Sequence, residues 1–206
     1  MGETEYPSPL RINYLKKKKM LRRLLFLLLL VVRLTIHAEE KVVSAVGDSL
    51  TWGLGSSKHH TTTYPAVLQS LLITAFPQHQ WTVKNFGDNG KTALKGTGKH
   101  SFWHTPAYRN SKRTMAHYVV LQLGTNDAKR SNWNETTYRR DYMALMMEYL
   151  NMPMKPLLLV CIPPPLYSDD GRPKGYPFGI NPHVVNSVLP AVVPQLVAAA
   201  NNLTGR

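Results

Sequence analysis

Seven residues from Gly47 to Gly53, with the sequence Gly-Asp-Ser-Leu-Thr-Trp-Gly, follow directly after the apolar run from Lys41 to Val46. A short apolar run bounded by turn residues predicts a buried strand, so Ser49 is placed where a strand ends. In open parallel α/β sheets, reactive groups collect beyond the carboxyl ends of the strands. Glycines on both sides allow a tight turn and leave the Ser49 hydroxyl uncrowded. The heptapeptide therefore indicates a nucleophilic serine, and a Gly-Asp-Ser turn that caps a helix is the alternative interpretation.

Two further polar segments follow predicted strands in the same way. Asn85 to Thr92 follows the strand-like Trp81 to Lys84, and Gly124 to Asp127 follows the strongly apolar Tyr118 to Leu123. The carboxyl ends of parallel strands meet at one edge of a sheet. We therefore expect both segments to lie on the same edge as Ser49.

The order and chemistry of these three segments resemble the SGNH (GDSL-type) esterase and lipase family, whose signature residues are a Ser, a Gly, an Asn and a His. The resemblance implies that Ser49 is the nucleophile. It also implies that the oxyanion hole is formed by the N–H groups of Ser49 and Gly90 and by the side-chain amide of Asn126. One such donor is worth about 3–4 kcal/mol of the barrier. The fold implied is a three-layer α/β/α, flavodoxin-like domain with a parallel sheet, working without metal or cofactor.

The family's general base is missing from this sequence. In SGNH enzymes an Asp-x-x-His block near the C-terminus supplies a His that deprotonates the Ser and an Asp that orients the imidazole. No aspartate of this chain has a histidine three residues later. We therefore expect a fragment that stops before this block and before the last strand of the sheet, and a pseudoenzyme is the alternative.

The histidines offer one other candidate for the base. His183 is the histidine near the C-terminus, and it opens an apolar stretch. We interpret it as a residue near a helix start, with a role as the base left open. His100, His104 and His117 lie between the second and third segments, where solvated loop histidines are expected.

Hydrophobic periodicity predicts four parallel strands joined by helical crossovers. The expected strands are Lys41 to Val46, Trp81 to Phe86, Tyr118 to Leu123 and Leu157 to Ile162, and the expected helices lie near Tyr64 to Phe76, Glu135 to Leu150 and Val184 to Ala200. The apolar face of the middle helix is Tyr138, Tyr142, Leu145 and Tyr149. In the last helix, Pro190 and Pro194 imply a kink or a late start. Cys161, the single cysteine, is expected to be a buried apolar residue of the fourth strand.

Residues 1–38 are predicted to be a leader, followed by the hydrolase domain over 39–206. Basic residues from Lys16 to Arg23 precede nine apolar residues, Leu24 to Val32, and Ala38 is suited to a cleavage site, as in a secretory signal. The run is shorter than the ~20 residues of a spanning helix. An uncleaved signal anchor is the alternative, and it is the one membrane contact we expect. In both cases the domain faces outward. Asn134 and Asn202 begin N-x-[ST] sequons, which fits a secreted glycoprotein.

The charge of the chain is unevenly distributed. The formal net charge is +13, but the stretch from Asn89 to Asn126 contains no Asp or Glu. Its basic residues, which alternate with aromatic ones, are Lys91, Lys95, Lys99, Arg109, Lys112 and Arg113. A secretory leader argues against nucleic acid as the partner of this pattern. The two remaining interpretations are a surface that binds an anionic sugar beside the site and a solvated basic loop.

The function implied by the resemblance is hydrolysis of a carboxylic ester by a serine nucleophile through an acyl-enzyme. The surroundings of Asn126, with Lys129, Trp133 and the later Pro163 to Pro165, look most like esterases that remove acetyl groups from carbohydrates, including sialate O-acetylesterase-like proteins. Lysophospholipases and thioesterases share the same blocks. A non-catalytic binding protein on the same fold is the alternative from another class.

Overall fold

The computed structural model describes residues 16–26, 38–167 and 177–205. The chain divides into two compact units, Met1–Glu39 and Glu40–Arg206. In the first unit, residues 16–26 form helix α1, whose side chains are exposed. Most of the predicted apolar run from Leu24 to Val32 lies outside the described residues, so the signal and its cleavage remain predictions.

The second unit is built on a four-stranded parallel sheet, as predicted. Its strands are β1 (Glu39–Gly47), β2 (His79–Gly87), β3 (Tyr118–Gln122) and β4 (Leu157–Val160). Their spatial order is β2-β1-β3-β4, and β3 pairs in parallel with both β1 and β4. The last six residues of β1 are buried, which is expected for a central strand that is covered on both faces.

Helices connect the strands, and several of them are capped. They are α2 (Ser49–Trp52), α3 (His59–Thr62), α4 (Tyr64–Ala75), α5 (Pro106–Arg113), α6 (Glu135–Leu150) and α7 (Leu189–Thr204), with 3₁₀ turns at Gly98–His100, Phe102–His104 and Pro177–Gly179. Side chains of Asp48, Thr105 and Asn134 accept N-terminal amide hydrogens of α2, α5 and α6. A left-handed glycine follows α2 and α7.

One face of the sheet carries the core of the molecule. Val46, Val119 and Leu121 lie on this face and belong to one buried cluster with residues of α6 and α7. The four residues predicted for the apolar face of α6 are all fully buried: Tyr138, Tyr142, Leu145 and Tyr149. The pattern of α6 was therefore predicted correctly.

The last helix does not start late, which was one of the two predicted alternatives. Helical residues begin at Pro182, a π-helical turn, Val184–Val188, leads directly into α7, and Pro194 lies inside α7. The helical backbone is therefore irregular around the two prolines, as π turns and internal prolines cause. By length and composition alone, Val184–Thr204 would be long and apolar enough to cross a membrane. Val192, Val193 and Leu196 are buried in the core cluster, so the helix packs as a core helix.

The opposite face of the sheet packs against α4. Val43 and Val120 lie on this face, opposite Leu68 and Leu72 of α4. With α4 on one side and α6 and α7 on the other, the domain has the three layers that the sequence predicted. Among the described residues, Pro65 is the one α4 side chain that is buried.

The fourth strand is shorter and more exposed than predicted. It ends at Val160, whereas the sequence predicted Ile162. Leu157 and Leu159 are 56% and 47% exposed because β4 is the edge strand, with little packed over it in the described chain.

Cys161 lies just past the end of β4 and is half-buried, not fully buried as expected. Desolvation still raises the pKa of its thiol, which keeps the sulfur protonated and unreactive.

Candidate active site

Ser49 is the first residue of helix α2, directly after β1. The Oδ1 atom of Asp48 accepts a hydrogen bond from the Leu50 N–H at 2.9 Å, which caps the helix. The turn thus caps a helix and also places Ser49, which is half-buried, at the carboxyl end of a strand. A Cβ at Gly87 would overlap the main chain of Trp52. Glycine at the end of β2 therefore allows α2 to pack closely against that strand.

The second polar segment lies against the first. The Asp88 N–H donates to the Gly47 oxygen at 3.0 Å, which joins the ends of β2 and β1. Gly90 follows with φ +75°, in the left-handed region that favours glycine. A side chain at this position would be strained, although the space around it is open.

The third polar segment, Gly124 to Asp127, contacts the Ser49 turn and the Gly90 turn through Asn126, which is only 6% exposed. Its Nδ2 atom donates to the main-chain oxygen of Lys91 at 3.1 Å and lies 3.5 Å from Oδ2 of Asp48. Its own main-chain oxygen accepts a hydrogen bond from the Asn132 amide at 2.9 Å. Ser49, Gly90 and Asn126 are thereby brought to one edge of the sheet, through bonds made by Asn126 and by the neighbours of the other two.

Two buried carboxyl groups lie behind this edge. Burial raises the pKa of Asp48 to about 6, although the hydrogen bond from the Leu50 N–H partly offsets this rise. Asp127 is fully buried, and burial, with a further contribution from the charge of Asp48, raises its pKa to about 8. Its Oδ1 atom accepts from the Ala93 N–H at 2.8 Å. Its Oδ2 atom has no hydrogen-bond partner within the described chain.

The sequence reasoning assigned no role to these two aspartates. The available signal was their position, because each is adjacent to a proposed oxyanion group. Asp48 directly follows β1, and Asp127 lies in the turn that follows β3. A carboxyl group placed there is enclosed by the strand ends on either side. Burial, and not a nearby cation, then dominates its pKa.

Among the described residues, no hydrogen bond joins a histidine to Ser49. His183 is exposed, and its segment is tied to the Asn126 turn by a bond from the Asn181 N–H to the Ala128 oxygen at 2.9 Å. His100 and His104 are exposed, as expected.

His117 differs from its predicted role as a solvated loop residue. Its Nδ1 atom accepts a hydrogen bond from the Val42 N–H at 3.1 Å, so it is a half-buried structural residue. Val42 lies near the amino-terminal end of β1, whereas Ser49 follows the carboxyl end. His117 is therefore at the opposite end of the sheet from the candidate site.

Three lysines of the acid-free stretch are held by contacts within the chain. Lys91 Nζ lies 3.6 Å from Asp88 Oδ1, and Lys112 Nζ lies 3.1 Å from Glu148 Oε2. Lys95 Nζ sits 4.4 Å from the centre of the Trp103 ring. In the described ranges, no three His, Cys, Asp or Glu side chains come together as a group that could hold a metal ion.

Comparison with known proteins finds a family profile and individual proteins that this chain resembles. Residues 45–199 match the sequence profile of the GDSL-like Lipase/Acylhydrolase family. An acetylxylan esterase from Xylanibacter ruminicola is 29% identical in an alignment of 143 residues that covers 61% of this chain and 28% of that protein. The chain thus spans less than a third of this curated relative.

Two solved structures share the fold. An acetylxylan esterase from Geobacillus stearothermophilus superposes with a TM-score of 0.59 at 17% identity, over 80% of this chain and 74% of the other. A carbohydrate acetylesterase family member from Sinorhizobium meliloti gives a TM-score of 0.55 at 22% identity, over 75% of this chain and 78% of the other. At these identities the likeness concerns the fold.

Proposed function

This chain belongs to the GDSL-like lipase/acylhydrolase family, and from that membership we propose that it hydrolyses carboxylic esters, with acetyl groups on carbohydrates as the substrate class. The observation that carries the proposal is the convergence of Ser49, Gly90 and Asn126 at one edge of the sheet. The carbohydrate part rests on the acetylxylan esterase relative. Short acyl esters of other alcohols, lysophospholipids and thioesters are the alternatives within the family.

In the proposed mechanism, the Ser49 hydroxyl attacks the acyl carbon and the sugar oxygen leaves, which gives an acyl-enzyme that water then hydrolyses. Negative charge develops on the former carbonyl oxygen, where the N–H groups of Ser49 and Gly90 and the amide of Asn126 would donate to it. An amide nitrogen carries two hydrogens. One of those on Asn126 is fixed by Lys91, and the other makes only the 3.5 Å contact with Asp48. That weak contact leaves the second hydrogen available to the oxyanion.

The base that takes the Ser49 proton is not assigned. His183 is the histidine whose segment is tied to the Asn126 turn, so it is the candidate to test within this sequence. Because no described histidine is bonded to Ser49, a binding protein that retains the pocket without turnover is the second candidate function.

The test is hydrolysis of p-nitrophenyl acetate and of an acetylated xylo-oligosaccharide. We expect Ser49→Ala to abolish turnover while the melting temperature is retained. Activity that persists in folded Ser49→Ala would rule out the nucleophile. If activity is lost in His183→Ala as well, His183 is the base, whereas a folded wild-type chain that binds the glycan without hydrolysing any ester supports the binding protein.

A further inference from the structure

A surface groove runs beside the helix that begins with Ser49. It has a volume of about 440 Å³, and its walls come from α2, α3, the first half of α4 and the outer edge of β2. The lining residues include Trp52, His59, His60, Gln69, Ser70 and Asn85. Six of the ten lining residues, besides Trp52, carry hydrogen-bonding side chains, and the Trp52 ring provides apolar area together with Pro65, Ala66 and Val83.

Trp52 lines this groove and lies on the same short helix as Ser49. It is the last residue of the four-residue helix that Ser49 opens, so at ~1.5 Å per residue the two residues lie about 4.5 Å apart along the helix axis. The Trp52 side chain is 39% exposed. The ring of His59 packs edge-on against it, with 4.2 Å between ring centres.

Hydrogen bonds fix the residues that form the floor of the groove. The Asn85 amide donates to the main-chain oxygen of Thr51 at 2.9 Å, and its Oδ1 atom accepts from the Gly87 N–H at 2.9 Å. Oε1 of Gln69 accepts from the Val83 N–H at 2.8 Å, which closes part of the outer edge of β2. These bonds hold the floor in place, so the exposed indole has a defined position before any ligand arrives.

The chemistry of the lining residues indicates which ligand fits the groove. A pyranose ring has an apolar C–H face and a rim of hydroxyl groups, which match an exposed indole surrounded by imidazole, amide and hydroxyl groups. An acyl chain would require a mainly apolar lining. The strongly apolar groove of this domain, formed by Val43, Leu72, Trp81 and neighbouring residues, includes residues from the opposite end of the strands.

We propose that the groove bounded by Trp52, His59 and His60 is a subsite for the sugar chain of an acetylated oligosaccharide, with Trp52 as the platform for a sugar ring next to the one that is deacetylated. This inference deepens the proposed function and rests on it. The subsite binds sugar without any chemistry, so it can be measured separately from turnover.

The experiment titrates unacetylated xylohexaose into the full chain carrying Ser49→Ala, by isothermal calorimetry. We expect binding that weakens at least about tenfold when Trp52→Ala is added, the size expected for truncating an aromatic residue that the ligand covers. The matched control is Trp81→Ala, which removes an indole from the apolar groove and should leave the affinity unchanged. Trp52→Leu keeps apolar volume without the ring, and it replaces Trp52→Ala if that variant melts early.

The possible results distinguish a failure of the subsite proposal from a failure of the esterase proposal. Equal affinity with and without the Trp52 ring overturns the subsite, and so does an absence of sugar binding in a protein that hydrolyses p-nitrophenyl acetate. Sugar binding that depends on Trp52, in a wild-type chain that hydrolyses no ester, keeps the subsite and overturns the proposed esterase.

Discussion

The side-chain amide of Asn126 donates a hydrogen bond to the main-chain oxygen of Lys91 at 3.1 Å, which couples the turn after β3 to the glycine turn after β2. If this amide is an oxyanion donor, Asn126→Ala should lower kcat on p-nitrophenyl acetate by roughly 10²–10³-fold, as expected for the loss of one such donor. The control is Asn110→Ala, which removes an exposed amide from α5. An unchanged kcat in folded Asn126→Ala would remove this residue from the site.

The buried carboxyl of Asp127 predicts how stability depends on pH. Its pKa is about 8 in the folded chain and 3.8 for the free group, so the folded state keeps a proton that the unfolded state has released. Stability from this group is therefore greatest at low pH and falls as pH rises from about 4 to about 8. Asp48, at about 6, acts in the same direction over a narrower range.

Asp127→Asn should flatten this dependence, because the amide stays neutral at every pH. We expect the melting temperature of the wild type to drop more between pH 6 and pH 9 than that of Asp127→Asn, measured by differential scanning fluorimetry. Glu135→Gln, a change at an exposed carboxylate on α6, serves as the control. Parallel curves for wild type and Asp127→Asn would show that the carboxyl is already ionised.

The acid-free stretch from Asn89 to Asn126 predicts a response to salt. If its cations bind an anionic glycan, hydrolysis of an acetylated acidic glycan should slow as salt rises from 0.05 to about 0.5 M, because exposed charges are screened over ~10 Å at 0.1 M. A neutral acetylated glycan provides the reference. The same salt response for both substrates would favour the solvated loop, in keeping with the internal contacts of Lys91, Lys95 and Lys112.

The sequons give a prediction about localisation. Asn134 is exposed at the start of α6, where its Oδ1 atom accepts from the Thr137 N–H, and Asn202 is exposed near the end of α7. In a eukaryotic secretory host we expect a shift in mobility on treatment with an N-glycan-removing enzyme. Asn134→Gln and Asn202→Gln, tested separately, identify the sequon used. Cytosolic, unglycosylated protein with an intact leader would contradict the predicted secretory route.

Periodicity and turn chemistry predicted much of the fold because they are local. The four strands, α4 and α6 begin and end within a few residues of their predicted bounds, and Asp48, Thr105 and Asn134 cap helices as residues of their types do. The exposure of β4 and of Cys161 was not predictable in this way, since it depends on what covers an edge strand.

Long-range contacts explain the other differences. His117 accepts a bond from Val42, 75 residues away, and no local pattern reports such a partner. The burial of Asp48 and Asp127 likewise arises only when three separate segments meet. The convergence of Ser49, Gly90 and Asn126 was predictable because the rule for strand ends in parallel sheets is itself a rule about the whole sheet.

Helix α4 buries little of its surface against the described chain, and a helix with few buried contacts opens at a lower free-energy cost than the core. Its amide hydrogens should therefore exchange with deuterium sooner than those of α6, whose inner face is enclosed. Because the first half of α4 forms one wall of the groove beside Trp52, a sugar chain bound there would slow that exchange. Binding of the sugar chain could then be measured as slower deuterium exchange in α4, a helix that does not carry the nucleophile Ser49.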